Sequence, residues 1–382
     1  MTYASPAYVA HHARRLPPAS RFMVAYYLHL PEPDSGGNHA ASDWQAARQS
    51  ASVADMIRFG TLGAARITPR ALVYPCVDER RAGIIAIAAR DRTRAEAFAN
   101  AHGIPRVLDS YDAVVSHPDV DAVYVPLHIP AHREWTLKAL AAGKHVLCEK
   151  SFACNAAEAE EMAAAGHAHG RVVMDAFHYR YHPLFHRARA IYTSGQLGDI
   201  RRIEARFHIP VTNSGDIRMD YATGGGVTMD IGCYPLSWVR HVSGSEPTVV
   251  SASAEVGPPD VDVMLRTELE LPDGASAATS GDMRPDARFA AELTVTGSAG
   301  RMHVVNPLVP QMGHRLELSI AGRDTVETFD RRPTYGYQLD AFLDAIEHGA
   351  PLLTDADDAV RQMRLIDHCY QAAGLPLRGL QS

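Results

Sequence analysis

From Met56 to about residue 175 the chain repeats one pattern, a short apolar run followed by a helix-forming stretch and then another apolar run. "IRFGTL", "AGIIAIAAR", "DAVYVPL", "HVLCEK" and "RVVMDAF" read as five buried strands. The stretches between them, such as "RITPRALVYPC", "TRAEAFANAHG", "AHREWTLKALAAG" and "NAAEAEEMAAAGHAHG", have helical spacing. Pro69 suits a first helical turn, and Gly103 and Gly143 suit helix ends. Strands separated by helices of about ten residues dictate a parallel, doubly wound sheet. In such a sheet ligands sit outside the carboxyl ends of the strands.

The second half changes period. After the helical "PLFHRARAIYTSGQLG", alternating segments such as "IRRIEARFHIP", "TVVSASAEV", "VDVMLRTELELPDG", "ASAATSGDM", "RFAAELTVTGSAG", "RMHVVN" and "HRLELSIAG" are broken by Gly, Pro and Asp turns. They predict a large, mostly antiparallel open sheet. "GYQLDAFLDAIEHG" and "DDAVRQMRLIDHCYQAAG" close the chain as helices. The fold class is therefore α/β, with a doubly wound domain over residues 56–175 and a second α/β domain over residues 176–382.

Residues 1–55 differ in character, being rich in Pro and His and loop-like. Arg14-Arg15 ahead of "FMVAYYLHL" raises an export signal, but the apolar run is short and two prolines intervene. Met56 as the functional start and an arm packing on a partner subunit are the other two explanations.

Composition narrows the function classes. With 382 residues, 46% hydrophobic content, a net charge of -7 and no basic block, the chain lacks the cationic footprint of a nucleic-acid binder. No run reaches the roughly 18 apolar residues of a membrane span. Five scattered cysteines form no CxxC or Cys/His cluster, so no metal site is expected and reduced cytoplasmic thiols are.

Three strand ends carry the chemistry. The turn after the first strand, "GTLGAARI", holds small residues where backbone N–H groups could approach a dinucleotide pyrophosphate. Of the GxGxxG positions Gly63, Ala65 and Thr68, only the first is glycine. The second strand ends in "AARDRTR", with Ala89 where an acidic residue would bind a ribose hydroxyl. Arg90 and Arg94 follow, and guanidinium groups there favour the 2'-phosphate of NADP, with NAD second. Surface arginines at a helix start are the plainer explanation. At the fourth strand, Glu149 and Lys150 sit where the chain leaves the sheet. In "TGGGVTMDIGCYPLSWVR", three glycines leave a bare backbone, and Asp230 and Tyr234 are four apart, on one helix face. Taken singly, each could be structural; together with Lys150 they form a proton-transfer set.

In order, "GTLGAARI", "AARD", "VYVPL", "AGKHVLCEK", "AFHYRYHP" and "GGGVTMDIGCY" resemble the Gfo/Idh/MocA oxidoreductase family over roughly residues 56–380. The sequence is most similar to its NADP-dependent dihydrodiol and D-xylose dehydrogenase branch, near glucose-fructose oxidoreductase. The resemblance implies a Rossmann domain and a second domain whose open sheet makes a homodimer or a dimer of dimers. It implies cofactor contacts from Gly63, Ala64, Ala65, Arg66, Ile67, Arg90, Arg94, Leu127, His128, Glu149, Lys150 and Arg180. It makes Tyr234 the acid/base, Lys150 its partner near the nicotinamide, and Asp230 the family aspartate. Two departures fall inside the motifs: "PLHIPAH" replaces a Pro-Asn loop, and Ser151 replaces a signature proline. Loss of that ring is expected to loosen the aim of Lys150.

These observations predict hydride transfer between NADP and a carbinol of a sugar, polyol or cyclic diol. Lys150 would favour the Tyr234 phenolate and hold the alkoxide, Asp230 would orient a second hydroxyl and Lys150, and Glu149 would fix the lysine or the ribose. Two other functions share the fold: a non-catalytic sensor, and an oxidoreductase with tightly held NADP that couples two sugars.

Overall fold

The computed structural model describes residues 56–213, 215–257 and 260–379; the explanations offered for residues 1–55 lie outside them. The first sheet is six-stranded and parallel, made of β1 (Ile57–Leu62), β2 (Ala82–Ala88), β3 (Arg106–Val107), β4 (Ala122–Val125), β5 (His145–Cys148) and β6 (Val173–Asp175). Their order is β3-β2-β1-β4-β5-β6, so the strand order reverses between β1 and β4. The carboxyl ends of those strands border the crevice where such sheets bind ligands. β2 and β4 are buried throughout, as strands covered on both faces must be. The helix Arg92–His102 starts where Asp91 accepts from the Arg94 N–H and stops at Gly103, with φ +64°.

The sequence showed five of these strands. The sixth, β3, has two residues, neither of them buried, and so leaves no apolar run; it is held by pairing with Ala86 and Ile87.

The second sheet has eight strands: β7 (Ile200–His208), β8 (Thr248–Gly257), β9 (Val261–Glu270), β10 (Ser276–Asp282), β11 (Ala290–Gly297), β12 (Gly300–Val305), β13 (Arg315–Ile320) and β14 (Arg323–Glu327). They run β14-β13-β12-β11-β7-β10-β9-β8, antiparallel except between β7 and β10. β9 shows the reason for the open face: Leu265, Thr267 and Leu269 are buried, while Arg266, Glu268 and Glu270 are exposed. β14 has no buried residue, and its exposed RDTVE sequence gave no strand signal.

The last two helices tie the sheets together instead of belonging to the second alone. Thr334–His348 buries Tyr335, Leu339, Phe342 and Leu343 among Phe59, Leu72, Ile84 and Tyr124 of the first sheet's core. Phe342 and Phe59 rings stand 5.8 Å apart. Ahead of the helix Ala356–Ala372, the Thr354 carbonyl accepts from Asp175 N at 2.9 Å, continuing β6 into the C-terminal segment. Among the described residues no helix is long and apolar enough to cross a membrane.

Asp367, buried on that last helix, accepts from Ala156 N at 2.9 Å. Burial pushes its carboxyl up to about 6. A raised carboxyl contributes stability below the unfolded value of about 4, and that contribution is lost as pH rises through about 6. Asp367→Asn keeps an acceptor and removes the charge. It is expected to raise unfolding free energy by about 1–2 kcal/mol at pH 7 and by little at pH 4. Urea titrations at the two pH values check this; an equal change at both would place the cause elsewhere.

Candidate active site

The turn after β1 is set by Gly63, whose φ of +91° is strained for residues with a side chain. A Cβ there would lie 3.3 Å from Leu127 Cδ2 and 3.4 Å from the Tyr111 hydroxyl. The turn therefore packs bare backbone against the end of β4. Ala64 is buried, Ala65 and Ile67 are half-buried, and Arg66 is exposed.

The two arginines after β2 divide their tasks. Arg94 donates to the Ala64 carbonyl at 2.7 Å, fastening the turn with one of its N–H groups. Arg90 is exposed just past the strand. It lies near Tyr111, whose phenol burial raises against the opposing influence of Arg90. It also lies near His128, whose imidazole is lowered by burial and then by the Arg90 charge.

Glu149 turns inward and accepts from the Tyr124 hydroxyl at 2.6 Å. Burial raises its carboxyl despite Tyr124 and the neighbouring Lys150 charge. The amine of Lys150 goes the other way, to Asp230, donating to its carbonyl at 2.7 Å and to Oδ1 at 2.9 Å. Glu149 thus anchors the strand end, and the lysine is held from the second sheet's side.

Asp230 lies in Thr228–Gly232, a turn wound wider than an α-helix, which runs directly into the helix Cys233–Ser243 bearing Tyr234. Such wide turns recur at functional sites. Arg218 Nε donates to Asp230 Oδ2 at 2.5 Å, and Arg218 Nη1 reaches Asp216 at 3.2 Å. Burial would raise the Asp230 carboxyl, but Arg218 and then Lys150 hold it well below the usual carboxylate range. In return, burial would lower Lys150, yet the Asp230 charge, Cys233 and the hydrogen bond to Asp230 together outweigh it and raise the amine.

Tyr234 is 6% exposed, in an aromatic wall. Phe177 and Phe207 meet its ring edge-on at 5.5 and 5.7 Å, and Lys150 Nζ is 5.3 Å from its centroid. Asp230 and Tyr234 therefore converge on Lys150, as the spacing suggested. His178, 6.5 Å from Tyr234, extends the wall and is held by Thr334 and the ring of Tyr335. Arg180 is buried, with its guanidinium 5.5 Å from the Phe185 ring.

The three glycines do not lie bare beside a ligand. A Cβ on Gly225 would stand 2.6 Å from the carbonyls of both Arg218 and Asp220, and one on Gly224 2.8 Å from Ile129 Cβ. Their smallness lets the Arg218 loop close on the first domain. Arg218 was the residue the sequence concealed, since "DIRMD" has no periodicity to place it.

Ser151, in place of the signature proline, is hydrogen-bonded to the second domain. Its hydroxyl donates to the Met229 carbonyl at 2.8 Å, one residue before the carbonyl that Lys150 holds. The Lys150–Ser151 peptide is cis.

Comparison with known proteins agrees with this architecture. Residues 57–177 match the model of the oxidoreductase family with an NAD-binding Rossmann fold, and residues 185–303 that of the GFO/IDH/MocA C-terminal domain. The chain is 33% identical over 317 residues to D-xylose 1-dehydrogenase (NADP(+)) 2 of Haloferax volcanii, covering 82% of this chain and 97% of that protein. It is 32% identical to dTDP-3,4-didehydro-2,6-dideoxy-alpha-D-glucose 3-reductase of Streptomyces antibioticus, over 83% and 97% of the two chains. Among solved structures, the 3-ketoreductase KijD10 of Actinomadura kijaniata with NADP and TDP-benzene superposes with a TM-score of 0.78 at 28% identity, covering 83% of this chain and 98% of that one. With both domain models matched in order and relatives aligned over nearly their whole length, this chain belongs to the Gfo/Idh/MocA family and is an NAD(P)-dependent oxidoreductase.

Proposed function

We propose that the protein transfers a hydride between NADP and a carbinol carbon of a neutral sugar, polyol or cyclic diol, with Tyr234 as acid/base. The observation that carries this reading is the convergence of Lys150, from the carboxyl end of β5, with Asp230 and Tyr234 of the second domain. The relatives named for xylose and for a deoxysugar nucleotide act on sugars, and NADP appears in the name of one and beside KijD10.

The residues present fit a dinucleotide. Gly63 gives a turn of small side chains, followed by Ala64, Ala65, Arg66 and Ile67, and Arg90 offers an exposed guanidinium for a 2'-phosphate. Leu127, just past β4, packs on the same turn, and His128 next to it lies near Arg90. When bound, the nicotinamide supplies or accepts the hydride. The chain's own part is the proton. An ordinary phenol ionises near about 10, so removing a carbinol proton at neutral pH needs a nearby positive charge. Lys150, kept protonated by Asp230, is that charge. Asp230 orients the lysine, and Arg218 holds Asp230 ionised.

The electrostatics also support a substrate class. Lys150 and Arg218 are both paired with Asp230, and Arg218 also with Asp216, so this set of two cations and two carboxylates is formally neutral. Uncharged polyhydroxyl compounds suit such a neutral set better than sugar acids.

A second copy of the chain is the proposed occupant of the open face of the eight-stranded sheet, where Glu292 and Glu317 flank His303 and Arg206 pairs with Glu292. The five cysteines are free thiols, which supports a reducing compartment, the cytoplasm. Purified protein incubated with NADP and a panel of aldoses, polyols and trans-diols tests the activity through the absorbance of the reduced nicotinamide. With sugar acids added to the panel, turnover of its neutral members above the acids is expected. Cofactor binding without turnover of any panel member would favour a sensor.

A further inference from the structure

We propose that Ser151 is a positioning residue, a clamp that sets the lysine and the tyrosine of the two domains against each other. The inference rests on the reading of Lys150 and Tyr234 given above, but its first test does not.

Ser151 is 1% exposed and bonded on both sides. Its hydroxyl donates across the domain junction to the Met229 carbonyl at 2.8 Å. Lys150, its neighbour, donates to the next carbonyl along, that of Asp230, at 2.7 Å. Two adjacent residues on two adjacent carbonyls fix orientation as well as distance, whereas either bond alone would leave a rotation free. Those carbonyls belong to the wide turn Thr228–Gly232 leading into the helix that carries Tyr234. A shift of that turn therefore moves the phenol relative to the amine.

The Ser151 carbonyl completes the connection. It lies 3.0 Å from His132 Nδ1, and His132 Nε2 lies 2.9 Å from the Leu127 carbonyl. His132 is fully buried and burial pushes its imidazole down to about 4, so the neutral ring donates to one of these two carbonyls and only packs against the other, while Leu127 packs on the Gly63 turn. Ser151 thus connects the turn that would take the dinucleotide, the strand end bearing Lys150, and the helix bearing Tyr234. A proline at this position has no hydroxyl and could not make the bond to Met229. The serine is therefore a second means of aiming the lysine, by a hydrogen bond between domains in place of a ring.

Amide hydrogen exchange on the free protein, as wild type, Ser151→Ala, Ser151→Thr and Ser151→Pro, reads the clamp without any substrate. Segments 148–153 and 226–236 are expected to lose protection together in S151A and S151P, and to keep it in S151T, while β8 and β9 exchange alike in all four. With the best neutral substrate of the panel, S151A is expected to lose about 10- to 100-fold in kcat. KM for NADP should stay within about threefold, and S151T should recover most of kcat. Should S151A fail to fold, Ser151→Cys, with its weak thiol donor, takes its place in the comparison. Wild-type exchange in both segments of S151A, or wild-type kcat in S151A, would overturn the clamp. If no panel member is turned over at all, the dehydrogenase reading fails, and the exchange result still decides the clamp.

Discussion

Tyr234→Phe is expected to lower kcat by about 10²–10⁴-fold, the usual contribution of a general acid or base. NADP affinity should stay within a few-fold, because the phenol is in the second domain's aromatic wall and not at the Gly63 turn. The ring itself is retained, so packing against Phe177, Phe207 and Trp238 persists and the fold should not suffer. Steady-state kinetics with the best panel substrate, alongside cofactor titration by intrinsic fluorescence, separates the two effects. Retention of more than about a tenth of wild-type kcat would remove Tyr234 from the acid/base role. The pH profile gives an independent reading, since loss of the phenol should also remove the limb that reports its ionisation.

The double variant Ala89→Asp with Arg90→Ala is expected to turn an NADP preference into one for NAD. A charge-assisted contact to phosphate contributes about 1.5–3 kcal/mol, or roughly 10- to 150-fold in affinity at about 1.4 kcal/mol per tenfold. Two features put this chain at the lower end, near 10-fold. Arg94 has an N–H tied to the Ala64 carbonyl, leaving Arg90 as the arginine past β2 without that tie, and Arg90 is exposed, where solvent screens its charge. In the variant, the new carboxylate accepts from the ribose hydroxyl and repels a 2'-phosphate. Fluorescence titration of both cofactors into both proteins checks this. Equal affinities in the wild type would show that Arg90 faces solvent with the cofactor bound.

Much of the first domain was legible because its strands are buried on both faces and so leave continuous apolar runs, as in "AGIIAIA". β3 and β14 were not, because exposed edge strands are specified by their neighbours' hydrogen bonds and not by their own side chains. The C-terminal helices were seen as helices, but amphipathic spacing names a buried face without naming what buries it. Phe342 meeting Phe59 is decided only by the return of the chain.

The candidate site divides in the same way. Local order placed Lys150 at a strand end and Asp230 four residues before Tyr234, because periodicity and strand topology act over a few residues and are written in the sequence itself. The partners of those residues come from distant segments. Arg218 reaches Asp230 from the short 3-10 helix Ile217–Met219, Glu149 turns to Tyr124, Arg94 to Ala64, and Ser151 meets Met229 across 78 positions of chain. Hydrogen-bond partners so far apart in sequence leave no periodic trace, so the sequence determined which groups are present and tertiary packing decided which of them meet.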